Sequence, residues 1–206
     1  MKILNFGSLN IDLVYRVPHI VRPGETISSA SFQTFAGGKG ANQSAALARA
    51  GAPVYHAGKA GKDGAWLVKK LRGLGVDTRF TRVVNAPCGH AVIQVDDAGE
   101  NAIFLFPGTN RQILRSEINQ VLSRFSPGDM VLLQNEINDI PYIITAARRR
   151  KLLVCLNPAP MDKAVLKYPL QKVDILIVNE TEGAGLAGAR STRGILDKLA
   201  RKLPHA

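Results

Sequence analysis

Ala36-Gly37-Gly38-Lys39-Gly40-Ala41-Asn42-Gln43 is the stretch from which this chain is best read. Its three adjacent or near-adjacent glycines run into Ser44-Ala45-Ala46-Leu47-Ala48-Arg49-Ala50, an Ala/Leu segment of high helix propensity. A tight glycine loop therefore opens a helix. Glycine reaches positive φ and lets other groups approach the backbone closely. The first N–H groups of a helix lack internal partners and favour negative or oxygen-rich groups. Lys39 adds a cation and Asn42 an amide. Two readings stay open locally: a pocket floor for a polar or phosphorylated small molecule, and a tight turn with an incidental lysine. This stretch fits neither GxxxxGK[ST] nor a clean GxGxxG.

Upstream, Ile3 to Asn10 reads as a short apolar strand running into a polar turn. Asn10 and Asp12, two residues apart, share one face if the segment is extended; alternatively they form an Asx turn. Leu13–Val17 and Ile27–Phe35 look like β segments around the turn at Arg22-Pro23-Gly24-Glu25. Downstream, the helix from Ala41 stops at Gly51, Val54–Gly58 is a strand, and Ala65–Leu74 is an amphipathic helix ended by Gly75. Gly89–Val95 and Ala102–Phe106 flank a hairpin loop. Ser116 is expected to cap a helix running to Phe125.

An αβ alternation follows. Met130–Gln134, Leu152–Asn157 and Asp174–Asn179 are apolar strands, and Pro141 starts a helix to Arg150. Continuous apolar strands alternating with helices imply a parallel sheet covered on both faces. Ligands of such sheets sit at the carboxyl ends of the strands. Polar residues stand just past four apolar runs: Asn10 and Asp12, then Gln134-Asn135-Glu136, then Asn157, then Asn179 with Glu180 and Glu182. In a parallel sheet these groups converge on one edge, beside the glycine loop.

The 206 residues suffice for one sizeable domain, and the 46% hydrophobic and 21% charged content is that of an ordinary globular protein. Cys88 and Cys155 have no CxxC spacing, which argues against a disulfide framework or zinc site. No signal-peptide pattern and no membrane-length apolar run occur, so the expected location is the cytoplasm, with no membrane partner. The net charge is +11. Only Arg148-Arg149-Arg150-Lys151 is dense, however, and aromatics are few, so no nucleic-acid partner is expected and anionic metabolites are the better match.

Taken in order, these residues resemble the ribokinase family of carbohydrate kinases. Gly7-Ser8-Leu9-Asn10-Ile11-Asp12 resembles its opening sugar-binding strand, Pro23-Gly24-Glu25-Thr26 its lid turn, and Gly37-Gly38-Lys39-Gly40-Ala41-Asn42-Gln43 its first signature. Asn157-Pro158-Ala159-Pro160 and Asn179-Glu180-Thr181-Glu182 resemble its mid-chain motifs. The resemblance implies a doubly wound, mostly parallel α/β sheet in a single domain over residues 1–206. It also implies a small β-sheet lid from about residues 11–36 and 89–106. Sugar contacts carry over to Asn10, Asp12, Gly38, Lys39, Asn42 and Glu136, an ATP contact to Asn179, and magnesium organisation to Glu182. The implied chemistry is transfer of the ATP γ-phosphoryl group to a sugar hydroxyl, ribose first, with Mg2+ and, in the full-length family, a monovalent cation. A homodimer through the lid is implied as well.

One departure is large. The family's C-terminal DTxGAGD-like turn, whose last Asp is the general base, has no match here. Glu182-Gly183-Ala184-Gly185-Leu186 lacks an Asp after its second glycine. The expectation is a C-terminally truncated sugar kinase with no catalytic residue of its own, not competent alone. The alternative is a non-catalytic sugar-binding or dimerisation module.

Overall fold

The computed structural model describes residues 1–203. In chain order its strands are β1 (Ile3–Phe6), β2 (Asn10–Arg16), β3 (Ser31–Gly37), β4 (Val54–Gly61), β5 (Asp77–Val84), β6 (Gly89–Val95), β7 (Asn101–Phe106), β8 (Met130–Gln134), β9 (Leu153–Asn157) and β10 (Ile175–Leu176). The helices are α1 (Lys39–Arg49), α2 (Ala65–Gly73), α3 (Arg115–Leu122), α4 (Ile140–Arg149), α5 (Glu180–Ala187) and α6 (Thr192–Lys202).

Six strands form one parallel sheet in the order β10-β9-β8-β1-β4-β5. Strands buried on both faces need apolar residues at successive positions; β8 and β9 have them, and in β1 Asn5 alone breaks the run. Ile3, Leu132 and Cys155 point to the face covered by α1 and α2. Leu4, Phe6, Val131, Leu133, Val154 and Leu156 point to the face covered by α3 and α4. A smaller apolar cluster ties α5 and α6 to Val165 and Leu176. Beside α1 the sheet is less covered: an apolar depression of ≈ 430 Å³ runs over Leu132 and Cys155 to Ile177, which is 51% exposed.

The other four strands form a separate sheet in the order β3-β2-β6-β7. β2 pairs antiparallel with β3 and parallel with β6, so that Asn10 lies opposite both Gly37 and Gly89. Gly7-Ser8-Leu9 is the only link between β1 and β2. The first sheet thus hands the chain to the second at the carboxyl end of a central strand.

Several elements differ from the sequence expectation. Ile27–Ala30 precede β3 instead of joining it, because β3 starts where pairing with Arg16 begins. β5 was not anticipated; its Asp77-Thr78-Arg79-Phe80-Thr81-Arg82 is too polar to read as buried, and it lies at the sheet edge. α3 begins one residue before Ser116, so that Leu114 is its N-cap residue, and Glu117 in its first turn closes the end, Oε2 accepting from the Leu114 N–H at 2.8 Å. β10 is only two residues long, because its pairing with β9 is confined to Cys155 and Leu156.

Leu133 is fully buried, whereas Phe104 on the second sheet is 61% exposed. Leu133→Ala is expected to cost about 2–5 kcal/mol in urea denaturation, and Phe104→Ser less than about 0.5 kcal/mol.

Candidate functional site

The glycine loop forms where β3 ends. Gly38 has φ 93°, a left-handed conformation that glycine adopts without strain, and α1 starts at the next residue. Gly40 lies against Gly7 so closely that a Cβ there would sit 2.4 Å from the Gly7 Cα. The two chain segments therefore meet backbone to backbone.

That contact allows three amides at the α1 N-terminus to find partners outside the helix. The Lys39 N–H donates to Glu136 Oε2 at 2.8 Å, the Gly40 N–H to Ser8 Oγ at 3.2 Å, and the Ala41 N–H to the Ser8 carbonyl at 2.9 Å. The Ser8 hydroxyl donates to the same Glu136 oxygen. Lys39 Nζ donates to Glu136 Oε1 at 3.1 Å. A carboxylate at a helix N-terminus is favoured by both the free amides and the helix dipole. With those amides taken, the loop is not a phosphate cradle.

Glu136 opens onto a cavity of ≈ 200 Å³ shared with Asn10, Asn110, Arg111, Asn135 and Pro160, and roofed by Leu105 and Phe106 of the second sheet. Asn10 Oδ1 accepts from Asn110 Nδ2 at 2.7 Å, which leaves the Asn10 Nδ2 without a protein partner among the described residues. Asn110 is in turn fixed by Leu9, accepting from its N–H at 3.0 Å and donating to its carbonyl at 3.3 Å. Asp12 packs over Gly37, where a Cβ would lie 2.1 Å from Asp12 Oδ2. Its half-buried carboxylate has no hydrogen bond or ion pair among the described residues. Burial pushes the Asp12 pKa up, the negative Glu136 adds to the rise, and Lys39 offsets part of it. Asp12 therefore shares an electrostatic site with both.

Of the anticipated residues, Asn10 and Glu136 line the cavity, Lys39 is joined to it through its ion pair with Glu136, Asp12 through the charges of Glu136 and Lys39, and Gly38 packs against the Ser8 and Asn10 backbone. Asn42 is exposed one turn into α1 and lines a separate depression with Ala45 and Arg49. Asn179 and Glu182 stand past β10, two strands from β8, or about 10 Å away at ordinary strand spacing. They cap α5 reciprocally: Asn179 Oδ1 accepts from the Glu182 N–H at 2.8 Å, and Glu182 Oε2 from the Asn179 N–H at 3.1 Å. Asn157 Nδ2 donates to the Ile177 carbonyl at 2.9 Å and so ties β9 to the segment after β10. Asn110 and Arg111 are cavity residues that no motif or strand end marks in the sequence. The one available signal is position, since they lie a few residues past β7 of the second sheet.

Beneath the loop lies a buried polar layer. Asn5 Nδ2 donates to the Gly40 carbonyl and to Ser44 Oγ, both at 2.8 Å. Ser44 Oγ is 2.8 Å from His56 Nδ1, and Gln134 Nε2 donates to Asn5 Oδ1 at 2.9 Å and to Gln43 Oε1 at 2.6 Å. Burial holds the His56 imidazole neutral, with its pKa lowered to about 4.

A parallel sheet whose carboxyl edge lies under a second sheet, with a polar cavity between them, defines a two-sheet α/β protein. The chain belongs to a carbohydrate-kinase family: the model described as "pfkB family carbohydrate kinase" matches residues 1–205. Ribokinase of Haemophilus influenzae is 34% identical over 187 residues, and ribokinase of Staphylococcus aureus 33% identical over 198. These alignments cover 88% and 93% of this chain, but the chain spans only 61% and 64% of the two relatives' lengths. The fold is similar to that of Arabidopsis thaliana ribokinase complexed with ribose and ATP, with a TM-score of 0.82, 31% identity, and 98% of this chain and 68% of that one covered. It is similar also to Cryptococcus neoformans ribokinase in complex with ADP, with a TM-score of 0.79, 36% identity, and 98% and 66% covered.

A histidine that stays neutral in the folded state destabilises the fold in acid. Between the unfolded value near 6.5 and the folded value of about 4, the unfolded chain binds a proton that the folded chain does not. Stability therefore rises with pH through this window. Urea denaturation at pH 4.5 and 7 is expected to show a smaller pH difference for His56→Phe than for the native chain.

Proposed function

We propose that this protein is the acceptor-binding part of an ATP-dependent sugar kinase of the ribokinase type, with D-ribose the first acceptor to test and ribose 5-phosphate the product. The half-buried, unpartnered carboxylate of Asp12 carries this reading. A carboxylate is not left half-buried without a partner at no cost. A polyhydroxylated ligand supplies the missing donors, and the free Asn10 Nδ2 and the Lys39–Glu136 pair supply complementary groups around it. Asn and Asp bond hydroxyls at fixed angles and so select a stereochemistry.

In this reading Asp12 and Asn10 orient the sugar. Glu136, held by the Lys39 amide and ammonium and by the Ser8 hydroxyl, accepts from another hydroxyl. The second sheet is the lid, and Leu105 and Phe106 exclude water that would otherwise take the phosphoryl group. Phosphoryl transfer depends mainly on positioning and charge neutralisation. ATP is assigned to the β10 edge, near Asn179. Glu182 fits a supporting role toward Mg2+: one of its oxygens is engaged by Asn179, and a single carboxylate is too small a ligand set to hold the ion alone. Among the described residues there is no cluster of three or more His, Cys, Asp or Glu to hold one. Mg2+ would neutralise the phosphate charge, with the nucleotide oxygens as its other ligands.

A base within reach of the acceptor hydroxyl is needed as well. Asp12 and Glu136 are read here as binding groups, so the 206-residue chain by itself is expected to bind sugar without turnover. The second sheet carries Phe32, Phe35, Ile103 and Phe104, all more than 45% exposed and divided between its two faces. Apolar groups at that density favour association of two chains through their lids. The two free, buried cysteines fit the cytoplasm.

Calorimetry is expected to detect ribose binding, with Asp12→Asn raising Kd about tenfold, or ~1.4 kcal/mol. A coupled assay with ATP and Mg2+ is expected to give no turnover near the ordinary ~1–100 s⁻¹. Unchanged affinity in Asp12→Asn overturns the acceptor assignment. Kinase-rate turnover overturns the incompetence of the chain alone.

A further inference from the structure

His56 takes no part in the cavity, yet its ring lies between the two segments that build it. It sits on β4 and is fully buried. On one side, Nδ1 meets Ser44 Oγ at 2.8 Å. Ser44 and the Gly40 carbonyl are both held by Asn5 Nδ2, so this side reaches the first turn of α1. On the other side, Nε2 is turned toward the Gly7 carbonyl without a well-formed hydrogen bond. The ring fits there because Gly58 has no side chain; a Cβ would come within 2.6 Å of the Gly7 oxygen and 3.4 Å of Nε2. Gly7 precedes Ser8, whose hydroxyl and carbonyl serve Glu136 and α1.

The hydrogen directions are consistent along this chain. Asn5 Nδ2 donates to Ser44 Oγ, so the hydroxyl is free to donate to Nδ1. When it does so, the ring proton is on Nε2, on the side of the Gly7 carbonyl. A neutral ring in this tautomer completes the layer, and its burial keeps it neutral.

We propose that His56 is a positioning residue for the acceptor site, holding α1 through its contact with Ser44 Oγ and packing against the Gly7 carbonyl beside the Ser8 strand end, the two walls that hold Glu136. It touches neither sugar nor nucleotide. Its effect on binding rests on the acceptor-site reading above; its effect on the loop does not.

The test separates position from stability and from that reading. His56→Phe keeps ring volume and removes both nitrogens. His56→Asn places an amide oxygen where Nδ1 stood. Ser44→Ala breaks the same link from the helix side and serves if His56→Phe does not fold. Hydrogen–deuterium exchange on the unliganded chain is expected to show faster exchange at Lys39, Gly40 and Ala41 in His56→Phe and Ser44→Ala, with His56→Asn near native. Ribose affinity by calorimetry is expected to fall roughly tenfold in the first two variants and about twofold in the third. Unchanged exchange at those amides overturns the proposal, even if the melting temperature drops, because a merely structural histidine lowers stability alone. If the native chain binds no sugar, the acceptor reading fails and the exchange result still decides the role of His56.

Discussion

The carboxylate of Glu136 at the start of α1 is the interaction on which the rest of the site depends. It collects the Lys39 amide, the Lys39 ammonium and the Ser8 hydroxyl. The carboxylate stands just past β8, and the groups it collects come from two other parts of the chain: the segment linking the two sheets and the glycine loop. Removing the carboxylate would leave a helix N-terminus without its anion and a lysine without its partner at one point. Charge-assisted hydrogen bonds of this kind are shorter and stronger than neutral ones. Here they act where solvent is largely excluded, since the Glu136 side chain is only 8% exposed.

The glycines matter because this knot leaves little space. Gly38 supplies a backbone turn, and Gly7 and Gly40 supply contact between two main chains. Below them, Asn5, Ser44, His56, Gln134 and Gln43 replace what would ordinarily be apolar core with a hydrogen-bonded layer. Such a layer is weak evidence for stability, because burying polar groups costs about what their bonds return. It does specify geometry, since a slipped helix would leave several buried groups unsatisfied at once. The cavity thus has the hydrogen-bonded layer below it and a separate sheet above it.

Of the fold, the apolar runs at β1, β8 and β9 and the glycine-ended helices α1 and α2 were legible in the sequence, because burial and backbone conformation write themselves locally. β5 was not, since its polar, alternating residues suit an edge strand and resemble a loop. The Ser116 cap was misplaced because Ser116 and Glu117 both suit a helix start, and only the position of Leu114 decides between them. In the site, Asn10, Asp12, Lys39 and Glu136 could be named from motif and strand-end position. Asn110 could not, because its importance comes from contact with Asn10 and Leu9, about a hundred residues earlier in the chain.

The sequence by itself determined the class of structure: a parallel α/β sheet, the polar residues at its carboxyl edge, and a glycine loop opening a helix. These follow from periodicity, burial and φ preference, which are properties of neighbouring residues. Only the tertiary structure decided what the glycine loop is. Read locally it suits a phosphate as well as a turn. Folded, its first three amides are taken by Glu136 and Ser8, groups brought from ninety-seven residues after Lys39 and thirty-two before Gly40. Whether an amide is free depends on what the rest of the chain places beside it.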